Sequence, residues 1–174
     1  FSVLKKNINE NNLTNVQIEN TVVSNTNGKI SFEIHSSITN SRIAKNHKDG
    51  ITVDCVSIDE YFIGNKMKKI NFVKIDTEGY DLMVLEGMTK IIQLNPDLKI
   101  MVEYHTRLLQ EAGIHPKDLL KFLRQQNFKI YDMGGLFDRL ELLEDENLEM
   151  FAKTPNATNL LCMHNETNIK NYQH

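Results

Sequence analysis

Asp76 and Glu78 are the first residues with chemical promise. They follow an apolar run of Ile70, Phe72, Val73 and Ile75, and Gly79 then makes a turn before a helical pattern that begins near Tyr80. A buried strand that ends in acids ahead of a helix is how open α/β sheets build ligand sites, at the carboxyl ends of the strands. Placed there, Asp76 can orient or deprotonate a hydroxyl as a general base. It can equally cap the next helix, since Asp is a good N-cap and carboxylates suit helix N-termini. A second apolar run, Leu98 to Tyr104, also ends in an acid, Glu103, with Tyr104 and His105 behind it. If the two runs are adjacent parallel strands, Asp76 and Glu103 lie across one crevice. Two carboxylates and an imidazole could hold magnesium or manganese. The spacing is not that of a tight ligand set, and a histidine at a strand end is more often simply hydrogen-bonded, so no metal ligand is assigned.

The stretch FVKIDTEGYDLMVLEG resembles the signature of the FkbM-family methyltransferases, roughly lLKiDvEGaElevLkG. Lys74, Asp76, Glu78, Gly79, Leu85 and Gly87 stand in place, and Asp81 takes a position where the family usually has Glu. Leu4-Lys5-Lys6-Asn7-Ile8 is similar to helix text of the family. Val16 to Ser24 is similar to its "vtlvnaAvs", and Val53 to Phe62, with Ser57-Ile58-Asp59-Glu60-Tyr61, to its "v.ttLDdyl". The likeness covers most of residues 1 to 164.

The resemblance implies a Rossmann-like class I methyltransferase fold: α/β, with a mostly parallel sheet and a final antiparallel strand. It implies an enzyme using S-adenosylmethionine to methylate a hydroxyl of a sugar or another small metabolite. Asp76, Glu78 and Glu103 become the catalytic candidates. Asn20, Thr21 and Val22 would flank the adenine, though they also read as an ordinary strand end, and Asp76 would stand beside the methyl donor. The family's opening strand with its Gly-rich turn, and its second strand ending in an acid, have no counterpart. The chain opens at Phe1, inside a helical pattern. We therefore expect an N-terminally truncated version of the fold, residues upstream of Phe1, and weak cofactor binding by these residues alone. The competing reading is a non-catalytic α/β binding module.

Several elements must position these groups. Phe1 to Asn11 carries Val3, Leu4 and Ile8 as an amphipathic helix tail. Val16 to Asn20 is expected to start a strand, and Asn25 to Gly28 to turn. Lys29 to His35 and Ile51 to Val56 alternate as strands, and Ile58 to Phe62 is a short helix. Ser36 to Gly50 lacks a period and reads as a loop; its His35, Arg42 and His47 either close over an acceptor or are simply solvated. Tyr80 to Leu94 is expected as one helix, stopped by Pro96. Pro116 opens a helix that packs Leu119, Phe122 and Leu123. Phe128 to Tyr131 and Asn159 to Met163 are the last strands, with acidic, irregular text over Glu141 to Glu149 between them. Strands alternating with helices argue a parallel sheet, and a last pair without a helix between them one antiparallel member.

Length and composition narrow the classes. A chain of 174 residues predicts one domain, and 40% hydrophobic with 25% charged residues is ordinary globular composition. A net charge of −3 and a pI near 6.1 provide no field for nucleic acid. The Lys66, Lys68, Lys69 group reads as a solvated loop. No apolar run reaches the ~20 residues of a membrane span, and a cytoplasmic location is expected. Cys55 and Cys162, far apart and without a CxxC pattern, are expected to be reduced and buried.

Overall fold

The computed structural model describes residues 1–33, 42–43, 51–64, 69–134, 136 and 138–164. Helix α1 (Ser2–Glu10) leads to strands β1 (Val22–Val23), β2 (Gly28–Glu33), β3 (Arg42–Ile43) and β4 (Ile51–Val56), then helix α2 (Ile58–Gly64). Next come β5 (Phe72–Ile75), α3 (Asp81–Glu86), α4 (Thr89–Leu94), β6 (Lys99–His105), α5 (Thr106–Glu111) and α6 (Pro116–Gln125). The chain continues through β7 (Lys129–Asp132), β8 (Glu141–Leu142), a 3₁₀ turn (Asp145–Asn147), α7 (Leu148–Lys153) and β9 (Ala157–Met163).

The strands form two sheets, ordered β1-β4-β2-β3 and β5-β6-β9-β7-β8. This mixed α/β arrangement has the expected antiparallel final strand, β9, but not the expected mostly parallel sheet. In the second sheet only β5 and β6 pair in parallel; β6–β9, β9–β7 and β7–β8 are antiparallel. The reason is geometric. β6 and β7 run alike, but the reversed β9 sits between them, so both of its pairings are antiparallel, and a hairpin adds the third.

β6 shows how the sequence builds the core. Ile100, Val102 and Tyr104 are 0% exposed, whereas Lys99, Met101, Glu103 and His105 are half-buried. The pleat sends alternate side chains to opposite faces. Only one face therefore packs into the helices, through Leu85, Ile91, Leu119, Leu120 and Leu123. α6 owes its start to Pro116 and to His115, whose Nδ1 accepts from the Lys117 N–H at 3.1 Å. Its leucines form one apolar stripe, and Asn127 at φ 62° ends it in the left-handed conformation. Cys55 and Cys162 are buried and free, as expected.

Four expectations are corrected. Val16 to Asn20 forms no strand; Val16 is exposed, and Gln17 and Glu19 bond to each other and to the Tyr61 hydroxyl, so pairing begins only at Val22. The helix expected over Tyr80 to Leu94 is two helices. Asp59 interrupts it: its backbone N–H donates to the Gly87 carbonyl, and its carboxylate accepts from the Lys90 and Ile91 N–H groups at 3.0 and 2.9 Å. Those are orphan donors at the start of α4, so Asp59 caps it from another element. Gly87 is required at the break, because a Cβ there would collide with the Ser24 carbonyl. The acidic stretch at Glu141 to Glu149 is not irregular; it holds β8, the 3₁₀ turn and the start of α7, which intervenes between the last two strands. Leu148, Phe151 and Ala152 pack α7 on the core and outweigh its acidic text. Finally, α5 follows β6 directly, where no helix was expected.

Arg42 lies in β3, whose partner is β2; His35, His47, Lys66 and Lys68 lie outside the described residues. Among the described residues no helix is long and apolar enough to cross a membrane.

Candidate active site

The site begins where β5 ends. Ile75 is the last core residue of the strand, and Asp76 emerges into solvent. The turn that follows is organised by Asp81, which is 1% exposed. One Asp81 oxygen accepts from the Thr77 N–H and hydroxyl, both at 3.0 Å, and the other from the Gly79 N–H at 3.2 Å. Burial raises the Asp81 pKa and those hydrogen bonds oppose the rise. Glu78 and Gly79 are both left-handed, at φ 54° and 95°. Gly79 has a second reason to be glycine: a Cβ there would meet the Leu108 carbonyl of α5. The non-glycine Glu78 accepts an uncommon conformation, the kind of strain that gathers at functional sites.

This settles one alternative for Asp76. It caps nothing: the N-cap position of α3 is Tyr80, without a side-chain cap bond, and Asp81 does the tying. Asp76 Oδ2 instead accepts from Lys74 Nζ at 3.1 Å. The same ammonium donates to the Ile75 carbonyl at 3.2 Å and to Asn159 Oδ1 at 3.1 Å. Lys74 thus reaches from β5 over β6 to β9, on the face away from the helices.

Glu103 lies on that face, opposite Asn159 in register. β5 and β6 are parallel neighbours, so Asp76, Glu78 and Glu103 are brought together, as expected. Glu103 Oε2 and His105 Nδ1 are buried without a hydrogen-bond partner among the described residues. The Glu103 pKa is raised to about 7, first by burial and then by the charges of Asp76, Asp81 and Glu78, with Lys74 opposing. Glu78 is also raised, by burial and then by Asp76 and Asp81, while His105 pulls it back. A carboxyl that titrates near neutrality can take up and release protons at working pH. Among the described residues, no three His, Cys, Asp or Glu side chains are grouped so as to hold a metal ion.

Val22 opens β1 of the other sheet, and Asn20 and Thr21 lead into it. The Thr21 hydroxyl donates to the Asp54 carbonyl at 2.8 Å, and Val22 pairs with Cys55. No hydrogen bond or ion pair among the described residues joins them to the carboxylates. Sequence reasoning missed two participants. Asp81 stood in the motif only as a departure from Glu, yet a short acid two residues after a turn glycine is a usable signal for a turn-tying side chain. Asn159 carried no signal, because only strand pairing brings it to Lys74.

Most of the chain has recognisable relatives. The methyltransferase FkbM domain matches residues 2–130, and the chain belongs to that family. It is also similar to the hexuronic acid methyltransferase AglP of Haloferax volcanii, 35% identical over 104 residues, or 59% of this chain and 40% of that protein. The matched part is thus less than half the length of that relative. No solved structure matches.

Proposed function

We propose that this chain acts as an S-adenosylmethionine-dependent O-methyltransferase whose acceptor is a sugar hydroxyl, a hexuronic acid being the first candidate. The observation that carries this reading is the meeting of Asp76, Glu78 and Glu103 where β5 and β6 leave the sheet. That is the ligand edge of an α/β sheet. Membership of the FkbM family supports the reaction class, and the relative's name supports the acceptor class. The reversed strand set between two that run alike suits a Rossmann-like methyltransferase sheet.

When bound, S-adenosylmethionine supplies an electrophilic methyl group on its sulfonium. The residues present fit part of such a molecule. Val22 is half-buried and Asn20 exposed, with no partner for the Asn20 amide among the described residues, so they offer an apolar surface and an amide edge to a purine. The chain's own task is to hold the acceptor. In this reading Asp76, fixed by Lys74, orients the hydroxyl and takes its proton. Glu103 and Glu78 form the polar wall, and Glu103 can pass the proton to water. In-line displacement depends on alignment of oxygen, carbon and sulfur, so holding Asp76 by Lys74 serves the rate directly.

The test is methyl transfer from labelled S-adenosylmethionine to methyl β-D-glucuronide by the full-length protein. An alkali-stable product is expected, meaning an ether at a hydroxyl. An alkali-labile ester would place the methyl on the sugar carboxylate and refute the assignment. Absence of transfer to a panel of sugars would remove the sugar acceptor.

A further inference from the structure

A recess opens on the helical side of the sheet, where β7 leaves it. Its volume is about 370 Å³, and its walls include Arg139, Glu141, Asn147, Phe151 and Asn156. Pockets for small ligands run from ~300 to ~1,000 Å³, so it has room for a sugar ring. None of the site carboxylates lines it. Its position is set by register. β9 runs against β6 and β7, so Ala157 sits beside His105, and Leu160 beside Asp132. The recess and the Asp76–Glu103 cluster therefore lie along the same edge of one sheet, on opposite faces.

The chemistry of the walls selects a ligand class. Arg139 is paired with Asp132, whose other oxygen accepts from the Thr158 hydroxyl at 2.6 Å and the Gly134 N–H at 3.1 Å. Glu141 adds a further negative charge, so the walls carry no net positive charge to attract a phosphate or nucleotide. The Thr154 hydroxyl of the wall donates to the Met150 carbonyl at 2.9 Å, but two neutral amides are unspent. Asn147 stands at the N-cap of α7 but makes no cap bond. The backbone of Asn156 is pinned, its N–H donating to the Thr106 hydroxyl at 3.0 Å and its carbonyl accepting the Thr106 N–H at 3.0 Å. Neither side-chain amide has a hydrogen-bond partner among the described residues. Phe151 supplies a flat apolar wall, fixed against the Tyr104 ring at 5.3 Å between centroids. Free amides beside a fixed aromatic face suit a neutral polyhydroxylated ring, which offers paired hydroxyls at its rim and C–H groups on its faces.

We propose that this recess is a second carbohydrate subsite, holding a sugar unit of the acceptor next to the one that is methylated. The inference rests on the sugar-acceptor reading above. It makes the preferred substrate an oligosaccharide that wraps the sheet edge, not a free monosaccharide.

The test is an NMR titration of the ¹⁵N-labelled full-length protein with a β-linked disaccharide ending in glucuronic acid, and separately with methyl β-D-glucuronide. Saturable shifts of the Asn147 and Asn156 side-chain amides are expected with the disaccharide only. The double variant Asn147→Ala, Asn156→Ala should keep its melting temperature, bind the disaccharide about tenfold more weakly and bind the monosaccharide as before. Equal binding by the variant would overturn the subsite, as would shifts confined to the Asp76–Glu103 edge; the sugar-acceptor reading would then survive. Binding of neither sugar would remove both.

Discussion

The two faces of β6 differ by one residue of offset and by everything they do. Ile100, Val102 and Tyr104 are sealed under α3, α5, α6 and α7, and their partners across the ladder, Cys162, Leu160 and Thr158, are buried too. Met101, Glu103 and His105 face the other way, beside Lys74 and Asn159, half-buried and partly unsatisfied. The first face contributes stability by removing apolar area from water. The second leaves a carboxyl dry enough to shift its pKa and wet enough to meet a ligand. A strand with both faces sealed could not hold Glu103 near neutrality without a partner for its charge.

The largest expected effect lies on the sealed face. Ile100→Ala should cost about 2–5 kcal/mol in urea unfolding, the range for large-to-small changes in a full core. Met101→Ala, one residue along, should cost under half of that. Equal losses would erase the distinction between the faces. On the other face, Asp76→Asn should lower turnover about 10²-fold, the scale of a lost general base. Its melting temperature should hold, because Asp76 caps no helix. A large drop in stability with intact turnover would reverse the roles of the two faces.

How much of this was legible in the sequence follows the same division. Strands β4, β5, β6, β7 and β9 show in the text because period-two alternation or a short apolar run is a local signal. The gathering of Asp76, Glu78 and Glu103 shows as well, because strand ends sit side by side in a parallel pair. An antiparallel last strand showed, but its place did not: nothing local tells that β9 inserts between β6 and β7. The α3–α4 break was hidden because Asp59, its cause, lies thirty-odd residues away, in a motif that read only as family likeness. The α7 helix was hidden by its charges, which face outward while Leu148, Phe151 and Ala152 face the core. Asn20 to Val22 showed as a strand end, but its relation to the carboxylates is a matter of the whole fold.

A smaller effect concerns Glu103 and pH. In the unfolded chain it titrates near its ordinary 4.5, and in the folded chain at about 7. Between those values the folded state binds more protons at Glu103, so the contribution of this group to stability is fully present below about 4.5 and is lost as pH rises through about 7. Glu103→Gln should flatten that decline and leave the variant more stable than the parent above neutrality, by something on the order of 1–3 kcal/mol. Chemical unfolding at a series of pH values reads it directly. Parallel curves for the two proteins would mean that Glu103 is not shifted by its surroundings.

The smallest effect separates two lysines on the same face. Lys74 is the cation that opposes the rise of the Glu103 pKa, and it holds Asp76 and Asn159 together. Its side chain is 36% exposed, so Lys74→Met should change stability by less than about 1 kcal/mol. The electrostatic result should still be visible. With the ammonium gone, Glu103 holds its proton to higher pH, and the acid limb of the kcat/KM profile should move alkaline. Lys99 lies on the same face at the opposite end of the strand, paired with Phe72. Lys99→Met should leave the limb where it was. If both substitutions move it equally, the field of the whole face governs Glu103 and the Lys74 clamp has no special part. If neither moves it, the acid limb belongs to a group other than Glu103 that lies out of reach of the Lys74 charge.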